Sequence, residues 1–130
     1  MNFGIIPASA APYLLSLLRF VTGLLFLEHG TGKLLNYPPI QEKMLGMLGS
    51  GMFYFTGLME LVGGLLITVG FLTRPVAFVL SGFMAAGYFL AHYPQGFFPV
   101  LNGGELAIEY CFVFLYLAAA GAGPISIDRR

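Results

Sequence analysis

The chain has 130 residues, of which 58% are hydrophobic and 9% charged, and its formal net charge is zero. An average soluble domain is about 45–50% apolar and about 25% charged, so in water this chain would expose large apolar patches. The composition therefore excludes an ordinary soluble domain and indicates a chain embedded in a lipid bilayer. The lack of clustered Lys and Arg excludes a nucleic-acid surface, because such surfaces neutralise phosphates with clustered cations.

Four segments approach the about 20 apolar residues that a helix needs to cross a bilayer. They lie at residues 13–35, 52–72, 75–93 and 103–120. Pro75 suits the first position of the third helix, while Gly121 and Pro124 close the fourth. We therefore predict an all-α fold, an integral membrane four-transmembrane-helix bundle that forms one domain over residues 1–130. The glycine-rich segment 36–51 is too short to cross and is expected at the membrane interface.

The cations near the ends of these spans predict the orientation. With four spans both termini lie on one side, together with Arg74, Arg129 and Arg130, whereas Lys33 and Lys43 lie on the other. Lys and Arg near span ends are more frequent on the cytoplasmic side. We therefore predict a multi-pass protein of the bacterial inner membrane with cytoplasmic N and C termini.

Carboxylates inside the spans are candidate functional groups, because a charge at the centre of a membrane costs at least about 2.5 kcal/mol and must face protein or water. Glu60 shares a helix face with Thr56 and three glycines, Gly57, Gly63 and Gly64, and these small residues allow helices to approach closely. Two interpretations are open: Glu60 forms an interhelical hydrogen bond, or it transfers protons.

The first predicted helix carries two cations, Arg19 and Lys33, on one stripe. Either cation is a candidate partner for an ionised Glu60. Lys33 has a second interpretation, because a lysine near a span end extends its ammonium group to the interface. We assign a structural role to Arg19, as we do to Arg74 and Pro75 at the start of the third helix.

In the fourth predicted helix, Asn102, Glu105 and Glu109 share one face with Phe112 and Tyr116. Asn102 followed three residues later by Glu105 resembles a capping box, in which each side chain bonds the other's backbone amide. Glu109 lies one turn deeper, where no capping role applies. It is therefore the better functional candidate of the two carboxylates.

The two histidines, His29 and His92, lie near the outer ends of their helices. They are either interfacial hydrogen-bonding residues or groups that exchange protons near neutral pH. As two histidines they are only a weak signal for axial haem ligation. With a single cysteine, Cys111, the sequence has no spacing typical of a zinc or iron–sulfur site, so we predict no metal site.

These positions converge in the outer third of the predicted bundle. We predict a site for a quinone-type ring in which His29, His92, Glu105 and Glu109 are the catalytic candidates. The predicted binding residues are Lys33, Glu60, Tyr54, Tyr88, Phe89 and Asn102, whose aromatic members form the walls. The alternative is a satisfied polar network that ties the loops to the helix ends.

The chain also resembles a known family in an ordered set of short motifs that extends over nearly its whole length. They are Leu18-Arg19, His29-Gly30 with Lys33, Thr56-Gly57 with Glu60-Leu61-Val62-Gly63-Gly64, Gly70-Phe71-Leu72-Thr73-Arg74-Pro75, His92, Gly96-Phe97-Phe98, Asn102-Gly103-Gly104-Glu105, and Gly121 through Asp128. In this order they resemble the DoxX family, whose members have four transmembrane helices.

The resemblance implies a membrane redox partner, because the family is named for small subunits of a membrane thiosulfate:quinone oxidoreductase and some members associate with enzymes of oxidative-stress defence. Three hypotheses follow. The protein is an oxidoreductase component that handles a quinone, a non-catalytic subunit that docks a partner redox enzyme, or a small proton-coupled carrier. No intrinsic cofactor is expected, so electrons would come from an exogenous carrier or partner. Homo-oligomerisation stays open.

Overall fold

The computed structural model describes residues 3–129, and every regular element within that range is helical. The helices are α1 (Ala11–Leu35), α2 (Gln41–Leu48), α3 (Ser50–Val69), α4 (Thr73–Gly87), α5 (Pro99–Asn102) and α6 (Glu105–Ala120). A 3₁₀ turn (Ala8–Ala10) precedes α1, and α4 continues through a π-helical turn (Tyr88–His92) and a 3₁₀ turn (Tyr93–Gln95). The predicted all-α class is confirmed. Arg130, which contributed to the predicted orientation, lies outside the described residues.

Three helical stretches are long and apolar enough to cross a membrane, namely Ala8–Leu35, Ser50–Val69 and Thr73–Gln95. The fourth predicted span is shorter than expected, because α6 has 16 residues. At 1.5 Å per residue it rises about 24 Å, less than the about 30 Å of a hydrocarbon core. Its start is delayed to Glu105 because Gly103 adopts a left-handed conformation with φ of 74°.

Helices α1 and α3 pack closely in antiparallel orientation, and glycines make this approach feasible. Gly23 of α1 faces Thr68, and Gly64 of α3 faces Leu27, where an added Cβ would lie 2.7 Å from the Leu27 backbone nitrogen. Gly57 lies against Leu34 on the same interface. A side chain at these positions would force the two helices apart.

Helix α4 packs mainly against α6, and a common hydrophobic core joins this pair to α1 and α3. Its fully or nearly fully buried members are Phe26, Ile67, Ala77, Leu80, Tyr110, Phe114 and Leu117. Gly63 contributes on the α4 side of α3, where it faces Leu80. The inward face of α6 therefore consists of Tyr110, Phe114 and Leu117, which are apolar apart from one hydroxyl.

Residues 121–129, which we call the tail, fold back against the start of α1 and the turn between α3 and α4. Arg19 donates hydrogen bonds from Nη1 to the Ala122 carbonyl at 2.5 Å and from Nη2 to the Thr68 carbonyl at 3.3 Å. The Asp128 carboxylate accepts bonds from the backbone amides of Leu72 and Thr73 at 3.0 and 2.9 Å. Asp128 therefore caps α4 from 55 residues away in sequence.

Arg74 reinforces the same end of the molecule, since its Nε donates to the Ala118 carbonyl at 3.1 Å. We call this the tail end. At the opposite end, the side chain of His92 lies beside Gly103, which precedes α6. Helix α6 therefore extends from one end of the packed helices to the other.

Candidate functional site

A cavity of about 280 Å³ lies at the end of the molecule opposite the tail, and we call it the polar cavity. Residues from α1, α2, α3, α6 and the extended α4 line it. Its polar lining residues are His29, Lys33, Thr56, Glu60, His92 and Tyr110. Apolar side chains, including Phe26, Phe83 and Leu106, complete the walls. The cavity thus combines several titratable groups with an apolar surround, which is typical of small-molecule sites.

A buried ion pair between Lys33 of α1 and Glu60 of α3 forms one wall. The two residues are only 4% and 5% exposed, and the Lys33 ammonium also donates to Thr56 Oγ1 at 2.8 Å. The interpretation that Lys33 extends to the interface is therefore wrong. Arg19, the other candidate partner of Glu60, is buried at the tail end and bonded to backbone carbonyls instead.

The two histidines are held through the same ring nitrogen. His29 Nδ1 lies 2.8 Å from the Leu25 carbonyl, and His92 Nδ1 lies 3.1 Å from the Asn102 carbonyl. Because a carbonyl only accepts, Nδ1 carries the proton in both rings, which leaves each neutral Nε2 as an acceptor. Neither Nε2 has a hydrogen-bond partner among residues 3–129. Both Nε2 atoms can therefore bind or exchange a proton with another molecule.

Tyr110 of α6 presents a hydroxyl that is buried without a hydrogen-bond partner within the described part of the chain. The residue is 6% exposed, stacks on Phe114, and approaches His29 edge-on with ring centroids 6.2 Å apart. Leaving such a group unsatisfied costs about 1–3 kcal/mol. A buried unpaired hydroxyl beside a cavity is typical of a position where a ligand supplies the partner.

Glu105 and Glu109, two of the predicted catalytic residues, are exposed on the outer face of α6 and lie outside the polar cavity. Helix α6 turns Tyr110 inward, so the predicted functional face is the outward one. The expectation that this carboxylate face points into the protein is wrong. The physical reason is that the apolar face of α6 is needed to fill the core.

The predicted aromatic walls also lie elsewhere. Tyr54 and Phe89 are 58% and 62% exposed and do not line the polar cavity. Tyr88 is buried and acts as a support, because His92 stacks on it with ring centroids 6.3 Å apart. The aromatic walls are instead Phe26, Phe83 and Tyr110.

Asn102 organises the connection between α5 and α6, in a manner different from the predicted capping box. Its Oδ1 accepts from the Gly104 amide at 2.8 Å, and its Nδ2 donates to Tyr88 Oη and the Gly96 carbonyl. Its own amide bonds the Phe98 carbonyl, so Glu105 does not occupy it. The Asn102 carbonyl also accepts a hydrogen bond from His92 Nδ1, so Asn102 fixes the position of the His92 ring.

A second, larger cavity of about 460 Å³ adjoins the polar cavity between α2, α3 and the extended α4, and we call it the side groove. Thr56, Phe83 and His92 line both spaces. Met44 and Leu48 of α2 also line both, so this short helix covers the junction. A hydrogen bond connects α2 to the end of α1, because Gln41 Nε2 donates to the Lys33 carbonyl at 2.9 Å.

Sequence reasoning missed Thr56, Phe83 and Tyr110 as lining residues. Thr56 was placed on the Glu60 face of its helix but was not assigned to the site. Tyr110 stands next to Glu109, and only the rotation of α6 decides which of the two faces inward. Within residues 3–129, no group of three or more His, Cys, Asp or Glu residues is placed to hold a metal ion.

Comparisons with known proteins give a consistent result. The sequence model of the DoxX family matches residues 14–93, more than half of the chain. An uncharacterized protein of Haemophilus influenzae is 42% identical over 122 residues, covering 92% of this chain and 91% of the relative. The inner membrane protein YqjF of Escherichia coli K12 is 37% identical over 114 residues, 85% and 86% of the two chains. The inner membrane protein YphA of the same organism is 28% identical over 131 residues, 94% and 93% of the two chains. No solved structure matches.

Proposed function

The chain belongs to the DoxX family of membrane proteins, and from its polar cavity we propose that it binds the ring of a quinone-type redox molecule within the bilayer. The carrying observation is that one cavity with apolar walls is lined by His29, His92 and Tyr110, each of which has a polar atom without a hydrogen-bond partner among residues 3–129. The carbonyl oxygens of a quinone accept hydrogen bonds, whereas the hydroxyls of the reduced form donate them. Tyr110 Oη suits the first form, and neutral Nε2 atoms suit the second.

The proposed chemistry needs both electrons and protons, because a quinone takes up two of each to become a hydroquinone. In this proposal a partner redox protein supplies the electrons, and the two histidines exchange the protons. Histidine suits this role, since an imidazole ring can both accept and release a proton. Glu60 and Lys33 compensate one another, so the cavity favours a neutral ring over an ion.

Ring binding is testable with the protein purified in mild detergent and a tailless dimethoxy-methyl-benzoquinone as the probe. We expect His29→Ala and His92→Ala each to weaken binding about tenfold, the loss of about 1.4 kcal/mol. Tyr110→Phe removes only the unpartnered hydroxyl, so it should weaken binding about fivefold without lowering thermal stability. Affinity measured by equilibrium dialysis gives the result.

Glu109→Gln is the matched control, because its side chain is exposed and outside the cavity, and its affinity should equal that of the wild type. Unchanged affinity in the folded His29 and His92 variants would reject the site. The polar groups would then serve only to hold the helices together.

We also propose that α6 crosses the bilayer with the three longer spans, in a bacterial inner membrane with both termini in the cytoplasm. The contacts at its two ends support this, since Ala122 meets Arg19 while Gly103 lies beside His92. A reporter fused after Arg130 should report the cytoplasm, and one inserted near Lys43 should report the outside. Opposite locations for the N and C termini would instead establish three crossings.

A further inference from the structure

We infer, resting on the proposed function, that the bound molecule carries a long apolar tail and that the side groove holds this tail while the ring occupies the polar cavity. The ligand class would then be a lipid-soluble, neutral-headed quinone. A small water-soluble redox molecule would leave the side groove without a role.

The first support is the composition of the side groove. Its walls include Met47, Met52, Phe55 and Leu90, all of which are apolar. Methionine is unbranched and polarizable, so a wall rich in it adapts to a flexible chain. With about 460 Å³ against about 280 Å³, the groove is also the larger of the two spaces.

The second support is the continuity of the two spaces. His92 lies at the junction, because it lines both the polar cavity and the side groove. On α4, Gly87 and Ala91 line the same junction, and their small side chains leave room for a chain to pass. A molecule with its ring against His92 would therefore direct its tail along the groove.

The third support is the charge of the two spaces, which separates a quinone from a phospholipid or a fatty acid. No Lys or Arg among the described residues lines the side groove. Within residues 3–129 the one lysine that lines the polar cavity is Lys33, whose ammonium is bonded to Glu60 and Thr56. A phosphate or carboxylate headgroup would thus meet no free lysine or arginine, whereas a neutral ring requires none.

The test compares the tailless benzoquinone with its decyl derivative on the purified protein. Two variants fill the groove away from the cavity, Met52→Trp and Ala86→Leu. Each should weaken binding of the decyl derivative about tenfold, the contribution of roughly two buried methylene groups, and leave the tailless ring unaffected. The decyl probe partitions into the micelle equally in all samples. The affinity of each variant divided by that of the wild type therefore reports the contribution of the side groove.

Leu58→Trp is the matched control. Leu58 is exposed on α3, like Met52, but it lines a different apolar groove, which lies between α3 and α4. This variant should leave both affinities unchanged. If both groove variants keep the wild-type affinity for the decyl derivative, or lose affinity for both probes equally, the tail assignment is overturned. If the tailless ring does not bind the wild type at all, the proposed function itself fails.

Discussion

The two ends of the molecule bury charge in different ways. At the tail end, two Nη groups of Arg19 reach main-chain carbonyls, and the Asp128 carboxylate is occupied by two amides of α4. The Nε of Arg19 is buried there without a hydrogen-bond partner within residues 3–129, but Arg19 does not line the polar cavity. At the cavity end, Lys33 and Glu60 satisfy one another, while His29, His92 and Tyr110 keep polar atoms without partners in the described chain.

The two ends therefore represent two kinds of buried polar residue in a membrane protein, one structural and one available to a ligand. Main-chain acceptors cannot be removed by exchange of a side chain, and a guanidinium bonded to them is fixed in place. Side-chain groups with an unused atom beside a cavity remain free to meet a ligand. Burial alone does not distinguish the two ends, since Arg19 and Lys33 are 3% and 4% exposed.

The largest expected effect comes from breaking the ion pair at the cavity end. Glu60→Leu leaves the Lys33 ammonium buried without its counter-charge, which should lower the free energy of unfolding by about 3–5 kcal/mol. The measurement is thermal or denaturant unfolding in detergent. The double variant Lys33→Met with Glu60→Leu should recover most of the loss, because no uncompensated charge remains. A single variant as stable as the wild type would show that the pair is not ionised.

At the tail end, Arg19→Met should lower the free energy of unfolding by about 2 kcal/mol, because the Ala122 and Thr68 carbonyls lose charged donors. Arg19→Lys should recover only part of this loss, since a lysine lacks the planar fork of donors. Limited proteolysis of residues 121–129 should accelerate in both variants. Ring affinity should stay within about twofold of wild type, because Arg19 lies outside the polar cavity. A tenfold loss of affinity would remove the distinction between the two ends.

A smaller effect is expected for Asp128→Asn, about 1 kcal/mol, since a neutral cap replaces a charged one at α4. Burial by itself would raise the pKa of the Asp128 carboxyl, but the Thr73 and Leu72 amides and the Arg19 charge outweigh it, so the pKa is lowered. The contribution of a group with a lowered pKa is complete above its unfolded value, about 3.9.

The difference in stability between wild type and Asp128→Asn should therefore be constant at neutral pH. It should decline as the pH falls below about 3.9 toward the lower folded-state pKa. Unfolding measured across this range checks the direction. A difference that grows in acid would contradict the capping role of the carboxylate.

The smallest effect is expected for the outward carboxylates. Glu105→Gln and Glu109→Gln should each change the free energy of unfolding by less than about 0.5 kcal/mol, because both side chains are exposed. Ring affinity should be unaffected. If Glu109→Gln alone abolished binding, the inward assignment of Tyr110 would be in doubt.

Sequence patterns were sufficient for the helices but not for their rotation. Runs of apolar residues predicted four spans, and three of these correspond to helices that are long and apolar enough to cross a membrane. The predicted close helix contact at Gly57 and Gly64 is also present. The fourth span was overextended, because the left-handed conformation at Gly103 is not determined by hydropathy. Glu109 and Tyr110 differ by about 100° around the helix, and the core contact that chooses between them involves Phe26, 84 positions earlier.

The contacts of the tail were even harder to predict from the sequence. Asp128 caps a helix that begins 55 residues earlier, so no local capping motif reveals it. Similarly, the pairing of Lys33 with Glu60 depends on the antiparallel register of α1 and α3. From the sequence alone, Arg19 was an equally good candidate to pair with Glu60. Interactions between distant parts of the chain decided both outcomes.

The bond between Arg19 and Ala122 has a consequence for biogenesis. The acceptor carbonyl is synthesised 103 residues after the arginine, so α1 enters the membrane before its guanidinium can reach that partner. Until then the insertion machinery or water must shield the cation, because open lipid would oppose it. A chain truncated before residue 121 should therefore leave the Arg19 guanidinium without its Ala122 acceptor. The hydrogen bonding of the first helix is therefore completed only after the helices between Arg19 and Ala122 have been synthesised.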